Sequence, residues 1–153
     1  MATTYYVKGN GSDSANGLTL GTAFKTLMKA HAVCSAGDTI LIDGANGDIL
    51  ITSEAECVVI TKNNLTVQGI NGMPKLNGQD TWPTPNKKLE YPTAQWPTVR
   101  PYTGKALLRV NAANVTIKNL EILNSAGSGL AFGVDSVPRV GGTVQNVKVH
   151  ECR

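Results

Sequence analysis

Asn114-Val115-Thr116-Ile117-Lys118-Asn119-Leu120-Glu121-Ile122-Leu123 holds two strand registers in ten residues. Val115 and Ile117 alternate with Thr116 and Lys118, whereas Leu120 and Ile122 alternate with Glu121, so the apolar parity slips across Lys118 and Asn119. Side chains change face at every residue of a strand, and a straight strand cannot bury both sets. Two short strands meeting at a corner can do so if one corner residue accepts a left-handed backbone, and asparagine does this at low cost.

The phrase has an earlier copy, Asn64-Leu65-Thr66-Val67-Gln68-Gly69-Ile70, offset by 50 residues, with Gly69 where Asn119 stands. Glycine also tolerates positive φ, so Gly69 is expected to form the equivalent corner. Val58 and Ile60 match Leu108 and Val110 at the same offset. A further copy of the phrase, aligned on Asn114, begins at Asn146 and reads Asn146-Val147-Lys148-Val149-His150-Glu151-Cys152. Repetition predicts units that stack in parallel, with Val115, Ile117, Leu120 and Ile122 inward on Leu65, Val67 and Ile70. The repeat ends at Arg153 in mid-strand. That open apolar edge leads us to expect missing C-terminal coils, an assembling subunit or a capping partner.

With 153 residues, 41% of them hydrophobic, the chain fits one domain, 1–153. Aromatic residues make up only 5%, which favours thin β-branched layers over a core of large rings. The net charge of +3 comes without a Lys or Arg run, so no nucleic-acid partner is expected. No stretch nears the ~18 apolar residues of a membrane span. The start, Met1 to Val7, has no signal-peptide pattern. Cys34, Cys57 and Cys152 are spaced as neither a disulfide framework nor a zinc site, and read as reduced thiols.

Residues 1–38 read as an entry region. Tyr5 to Val7 form a short strand, and Gly9 to Gly17 a turn-rich run in which Asp13 belongs to a solvated loop. Thr22 is the expected N-cap of a helix whose face is Phe24, Leu27, Met28 and His31, with His31 a packed or boundary residue. Gly37 ends that segment, and Asp38 to Ile42 resume as a strand. Further on, Leu130 to Val134 is another candidate strand.

Tyr5-Tyr6-Val7, the Gly11-Ser12-Asp13 loop, Ala23-Phe24-Lys25-Thr26-Leu27, Ala36-Gly37-Asp38-Thr39-Ile40 and the repeated Asn-Val-Thr-Ile phrase resemble the entry of the pectate-lyase-like right-handed parallel β-helix superfamily. The resemblance implies an all-β solenoid with an N-terminal capping helix, the capping role falling to Phe24, Leu27 and Met28. It also implies β-elimination at a uronic acid by a Lys or Arg base, with calcium held by several carboxylates. The 11 acids are scattered and no Asp-Asp or Asp-x-Asp pair occurs, so calcium rests on the resemblance alone and catalytic residues stay unknown. Asp80, Glu90, Glu121 and Asp135 are candidate carboxylates for glycoside hydrolysis without a visible pairing, and the parity of Glu121 points it to solvent.

From residue 79 to 104 the chain carries both tryptophans, two of its four tyrosines and a high density of proline. Proline cannot donate to a ladder, so this segment is expected to leave the stack as an inserted loop. Trp82, Tyr91, Trp96 and Tyr102 suit stacking on sugar rings, and Arg100, with Lys87 and Lys88 nearby, suits an anionic glycan. The same rings also suit pinning the loop to the flank of the stack. Two functions fit. One is a carbohydrate-binding or carbohydrate-cleaving protein, lyase- or depolymerase-like, acting on an acidic polysaccharide. The other is a non-enzymatic virion or surface module, since the start resembles bacteriophage tail-fibre and tailspike proteins. That likeness implies a homotrimer and a virion or cell-surface setting.

Overall fold

The computed structural model describes residues 1–52, 56–79, 106–125, 129–132, 141–150 and 152. Ten strands are present among them: β1 Thr4–Lys8, β2 Thr39–Asp43, β3 Ile49–Leu50, β4 Val58–Ile60, β5 Thr66–Ile70, β6 Lys75–Asn77, β7 Leu108–Val110, β8 Thr116–Leu123, β9 Leu130–Phe132 and β10 Thr143–His150. One α-helix, α1 Leu27–Val33, precedes β2. Every strand pairing is parallel. Seven strands form one sheet, in the order β1-β2-β5-β8-β6-β3 with β10 also on β8, and β4-β7-β9 form another. The regular elements are thus mostly strands, in a nearly closed parallel arrangement.

Register gives the length of one pass of the chain. Thr39 pairs with Thr66 and Thr116 with Thr143, the same interval of 27 residues that separates Asn119 from Asn146. Thr66 pairs with Thr116, the interval of 50 residues that also separates Asn64 from Asn114. The excess falls between β6 and β7, where the connection runs from Asn77 to Leu108, whereas the corresponding connection one pass earlier runs only from Leu50 to Val58. The longer interval is therefore one pass plus a longer connection between β6 and β7. Residues 80–105, which include all the aromatic candidates, lie outside the described residues.

The decisive stretch behaves as its parity requires. Val115, Ile117, Leu120 and Ile122 are all fully buried, and Asn119 between them has φ 54°. β8 turns its corner without leaving the ladder. Ile117 stacks on Val67, and the Thr116 N–H donates to the Leu65 carbonyl oxygen at 2.9 Å.

Three sequence expectations about the repeat are corrected. Ile122 sits over Leu76 in β6, and Ile70 is only half-buried. Gly69 lies outside the left-handed region; pairing with β8 stops after Gln68 and resumes at Lys75, with positive φ at Asn71 and Gly72 instead. Glycine is needed at 69 for close approach, because a Cβ there would collide with the Asn119 carbonyl oxygen and the Pro74 ring. Finally, Asn146 lies over Asn119 and not over Asn114; its side-chain amide donates to the Asn119 side-chain oxygen at 3.0 Å.

The entry region also differs in detail. Thr26, not Thr22, caps α1, accepting from the Lys29 N–H at 3.1 Å, while Thr22 closes a short 3-10 turn, Leu20–Thr22, capped by Thr19. Phe24 precedes the helix, bridges to Val7 and stacks on Tyr5 with ring centroids 6.2 Å apart. Leu27 and Ala30 enter the common core, but Met28 is 43% exposed and plays no capping part. Asp13 is not a solvated loop residue: its carboxylate accepts from the Lys25 and Thr26 N–H groups at 2.9 and 3.0 Å and from the Thr26 hydroxyl at 2.8 Å. His31 is a boundary residue as expected. Its Nε2 accepts from the Thr61 N–H at 3.2 Å, and burial followed by the Lys62 charge pushes its pKa down, consistent with a neutral acceptor.

Two measurements probe this packing. In denaturant unfolding, Ile117→Ala should cost about 2–5 kcal/mol and Thr116→Ala, on the outer side of the same rung, under about 1 kcal/mol. Equal costs would contradict the assignment of faces. Gly69→Val should destabilise by more than the ~0.5–1 kcal/mol of an ordinary glycine replacement, and Gly69→Ala should do so too, because even a lone methyl meets backbone.

Candidate functional site

Outward positions of β6, β8 and β10 form a charged row. Leu76 and Ile122 point inward, and the alternation turns Lys75, Glu121 and Lys148 outward. Lys75 pairs with Glu121, and Glu121 with Lys148, so the carboxylate lies between two ammonium groups on adjacent strands about 4.8 Å apart. One step along β10, His150 reaches back so that its Nε2 lies 2.7 Å from Glu121 Oε1. An ionised carboxylate only accepts, so the imidazole N–H is the donor. The Glu121 side chain is 18% exposed and that of His150 42%.

This surrounding holds the Glu121 carboxyl below its ordinary value of 4.5. The hydrogen bond from His150 is the first cause; desolvation opposes it, and the charges of Lys75, His150 and Lys148 favour the anion. Lys118 faces outward just before the corner, beside the Asn119 and Asn146 amides. The arrangement offers cations and donors on a flat sheet surface, which suits an anionic polymer.

A recess of about 320 Å³ is lined by Gly9, Asp13, Lys25, Thr26, Leu50, Thr52 and Glu56. Its acids are engaged structurally: Asp13 holds the start of α1, and Glu56 Oε2 accepts from the Thr52 N–H at 2.6 Å and the Thr52 hydroxyl at 2.9 Å.

The described residues do not fit calcium. Among them no three His, Cys, Asp or Glu side chains converge. The Asp43 carboxylate accepts from Asn46, from Asn71 at 2.8 Å and from the Ala45 N–H at 3.4 Å. Asp38 accepts from the Thr3 and Ser35 N–H groups, each at 2.7 Å. With Asp13 and Glu121 likewise occupied, no open oxygen cage is left among these groups, and no step is derived through a metal.

Of the carboxylates singled out from sequence, Glu121 is outward as expected, with His150 as a partner that the sequence does not reveal. Asp80, Glu90 and Asp135 lie outside the described residues, as do Trp82, Lys87, Lys88, Tyr91, Trp96, Arg100 and Tyr102. Sequence reasoning passes over Lys75, Lys148 and His150. The spacing of Glu121 and Lys148 by one pass is the available signal, and it has meaning only once the length of a pass is known. Cys34, Cys57 and Cys152 are in no disulfide, in keeping with reduced thiols. No helix among the described residues is long and apolar enough to cross a membrane.

No protein-family model matches the chain, and no curated protein matches it significantly. A solved structure titled rhamnogalacturonan lyase matches with a TM-score of 0.54 at 18% identity, covering 82% of this chain. The chain shares the fold of the matched part of that structure. It spans 30% of the length of that lyase chain.

The Glu121 arrangement has a titration signature. Its depressed folded pKa gives stability that is present above the unfolded value and lost as pH falls through the folded one. Carboxyl-carbon NMR should show Glu121 titrating below 4.5, and His150→Gln should move it back toward that value. An unchanged midpoint in the variant would remove His150 as the main cause.

Proposed function

We propose that the chain is a right-handed parallel β-helix, capped at one end by α1, that binds an acidic polysaccharide on its outward surface in a secreted or cell-surface protein of polysaccharide-lyase or depolymerase type. Right-handedness is supported by the roughly 98% of parallel crossovers that take this hand. The observation that carries the ligand reading is the row of Lys75 and Lys148 on either side of Glu121, with Lys118 nearby. Lys75 and Lys148 outnumber the one carboxylate between them, so the row keeps a net positive charge for carboxylates repeated along a uronate chain. The fold of the lyase neighbour supports the reading only at the level of architecture. Trp82, Tyr91, Trp96, Arg100 and Tyr102 belong to the proposal on composition, as rings and a guanidinium suited to sugars.

Retardation in gels containing polygalacturonate tests the reading. The protein should be slowed, added salt should relieve the effect because exposed charges are screened, and Lys75→Ala/Lys148→Ala should lose most of it. Equal retardation of variant and parent would reject the site. Ultraviolet absorbance of unsaturated product, followed in the same mixture, extends the reading from binding to cleavage if it rises.

A further inference from the structure

Beside the charged row, the sheet carries a second regular feature. Thr4 pairs with Thr39, Thr39 with Thr66, Thr66 with Thr116 and Thr116 with Thr143, so one outward column is threonine on all five strands β1, β2, β5, β8 and β10. The neighbouring inward positions Ile40, Val67 and Ile117 are fully buried, which directs the threonines outward. Thr143 is exposed and the other four are half-buried.

Strand preference for β-branched residues does not account for the column. The next outward column on the same strands is Tyr6, Leu41, Gln68, Lys118 and Gln145, with no residue repeated on adjacent strands, although the same preference acts there. Nor are the hydroxyls used by the fold: none has a side-chain hydrogen bond among the described residues. In parallel strands threonine is stiff at χ1, so such hydroxyls recur about every 4.8 Å along the stack in a common orientation. That repeat is close to the rise per ring of an extended 1,4-linked polysaccharide.

We propose that the Thr4-Thr39-Thr66-Thr116-Thr143 ladder is a docking track for a linear polysaccharide lying along the stack, one sugar ring per rung, held through its hydroxyl groups. This rests on the polysaccharide reading above and gives the ligand an orientation and a length. The track is uncharged and contacts what acidic and neutral polymers share, while the Lys75–Lys148 row contacts only carboxylates. Affinity should therefore rise with oligosaccharide length across the five rungs, for acidic and neutral oligomers alike.

The test uses polygalacturonate, its carboxyl-reduced neutral form, and oligomers of increasing length from each. In Thr39→Val/Thr66→Val/Thr116→Val, shape and strand preference are kept and three hydroxyls are lost. Binding of both polymers should fall at least roughly tenfold with melting temperature unchanged, since several net hydrogen bonds are removed together. The matching triple serine variant should retain binding, and it guards against a folding effect of the valines. If the valine variant binds both polymers like the parent while Lys75→Ala/Lys148→Ala weakens the acidic one, the track is wrong and the lysine site stands. If the parent binds neither polymer, both are wrong.

Discussion

Everything in this architecture depends on turning a corner without breaking the hydrogen-bonded ladder, which requires a left-handed residue at the same place on each pass. One corner column shows it fully: Gly37, Asn64, Asn114 and Gly141 have φ of 85°, 59°, 55° and 76°. For an ordinary side chain that region costs about 1–2 kcal/mol, and for asparagine and glycine it costs least. Asparagine adds an amide that can bond its counterpart in the next pass. The Asn114 amide donates to the Asn64 side-chain oxygen at 3.2 Å, and Asn146 to Asn119 at 3.0 Å. Where the column has Gly141, the space is filled from below, since a Cβ there would strike the Asn114 side-chain oxygen.

This constraint explains why the fold was legible. The parity slip at Asn119 and the offset between the copies at Asn64 and Asn114 are direct consequences of a corner repeated in register, and both read correctly from residues alone. It also explains the misreadings. The pass through β8 has two asparagine corners, each followed by alternating aliphatics, Asn114-Val115 and Asn119-Leu120, so a phrase match cannot tell one corner from the other. Phrase matching therefore aligns Asn146-Val147 with the first corner, when its partners are Asn119 and Leu120. Gly69 misleads for a related reason: glycine serves both positive φ and close backbone approach, and sequence does not distinguish them.

The candidate site was less legible because its members are distant in sequence and meet only through register. Lys75, Glu121 and Lys148 share no local motif; each is a polar residue on an alternating strand, which normally means a solvated position. Conversely, the segment richest in binding chemistry by composition, residues 79–104, gives no periodicity from which to place it. Local pattern reports the inward face, where burial imposes a rule. The outward face obeys no such rule, so chemistry there becomes visible only when the passes are stacked.

That asymmetry between faces bears on how a surface of this kind acquires specificity. An inward rung such as Ile117 is held by its neighbours above and below, and altering it costs stability. Outward rungs are nearly free of that coupling, so a column can become all threonine or carry alternating charge without disturbing the stack. Register then converts a change in one residue per pass into a ruler with a fixed spacing of about 4.8 Å. A charged row and a hydroxyl row on one such ruler read different properties of a polymer. The first reads its charge, with strong salt dependence, and the second its geometry, with little. Neither needs a pocket, because each meets the polymer along its length.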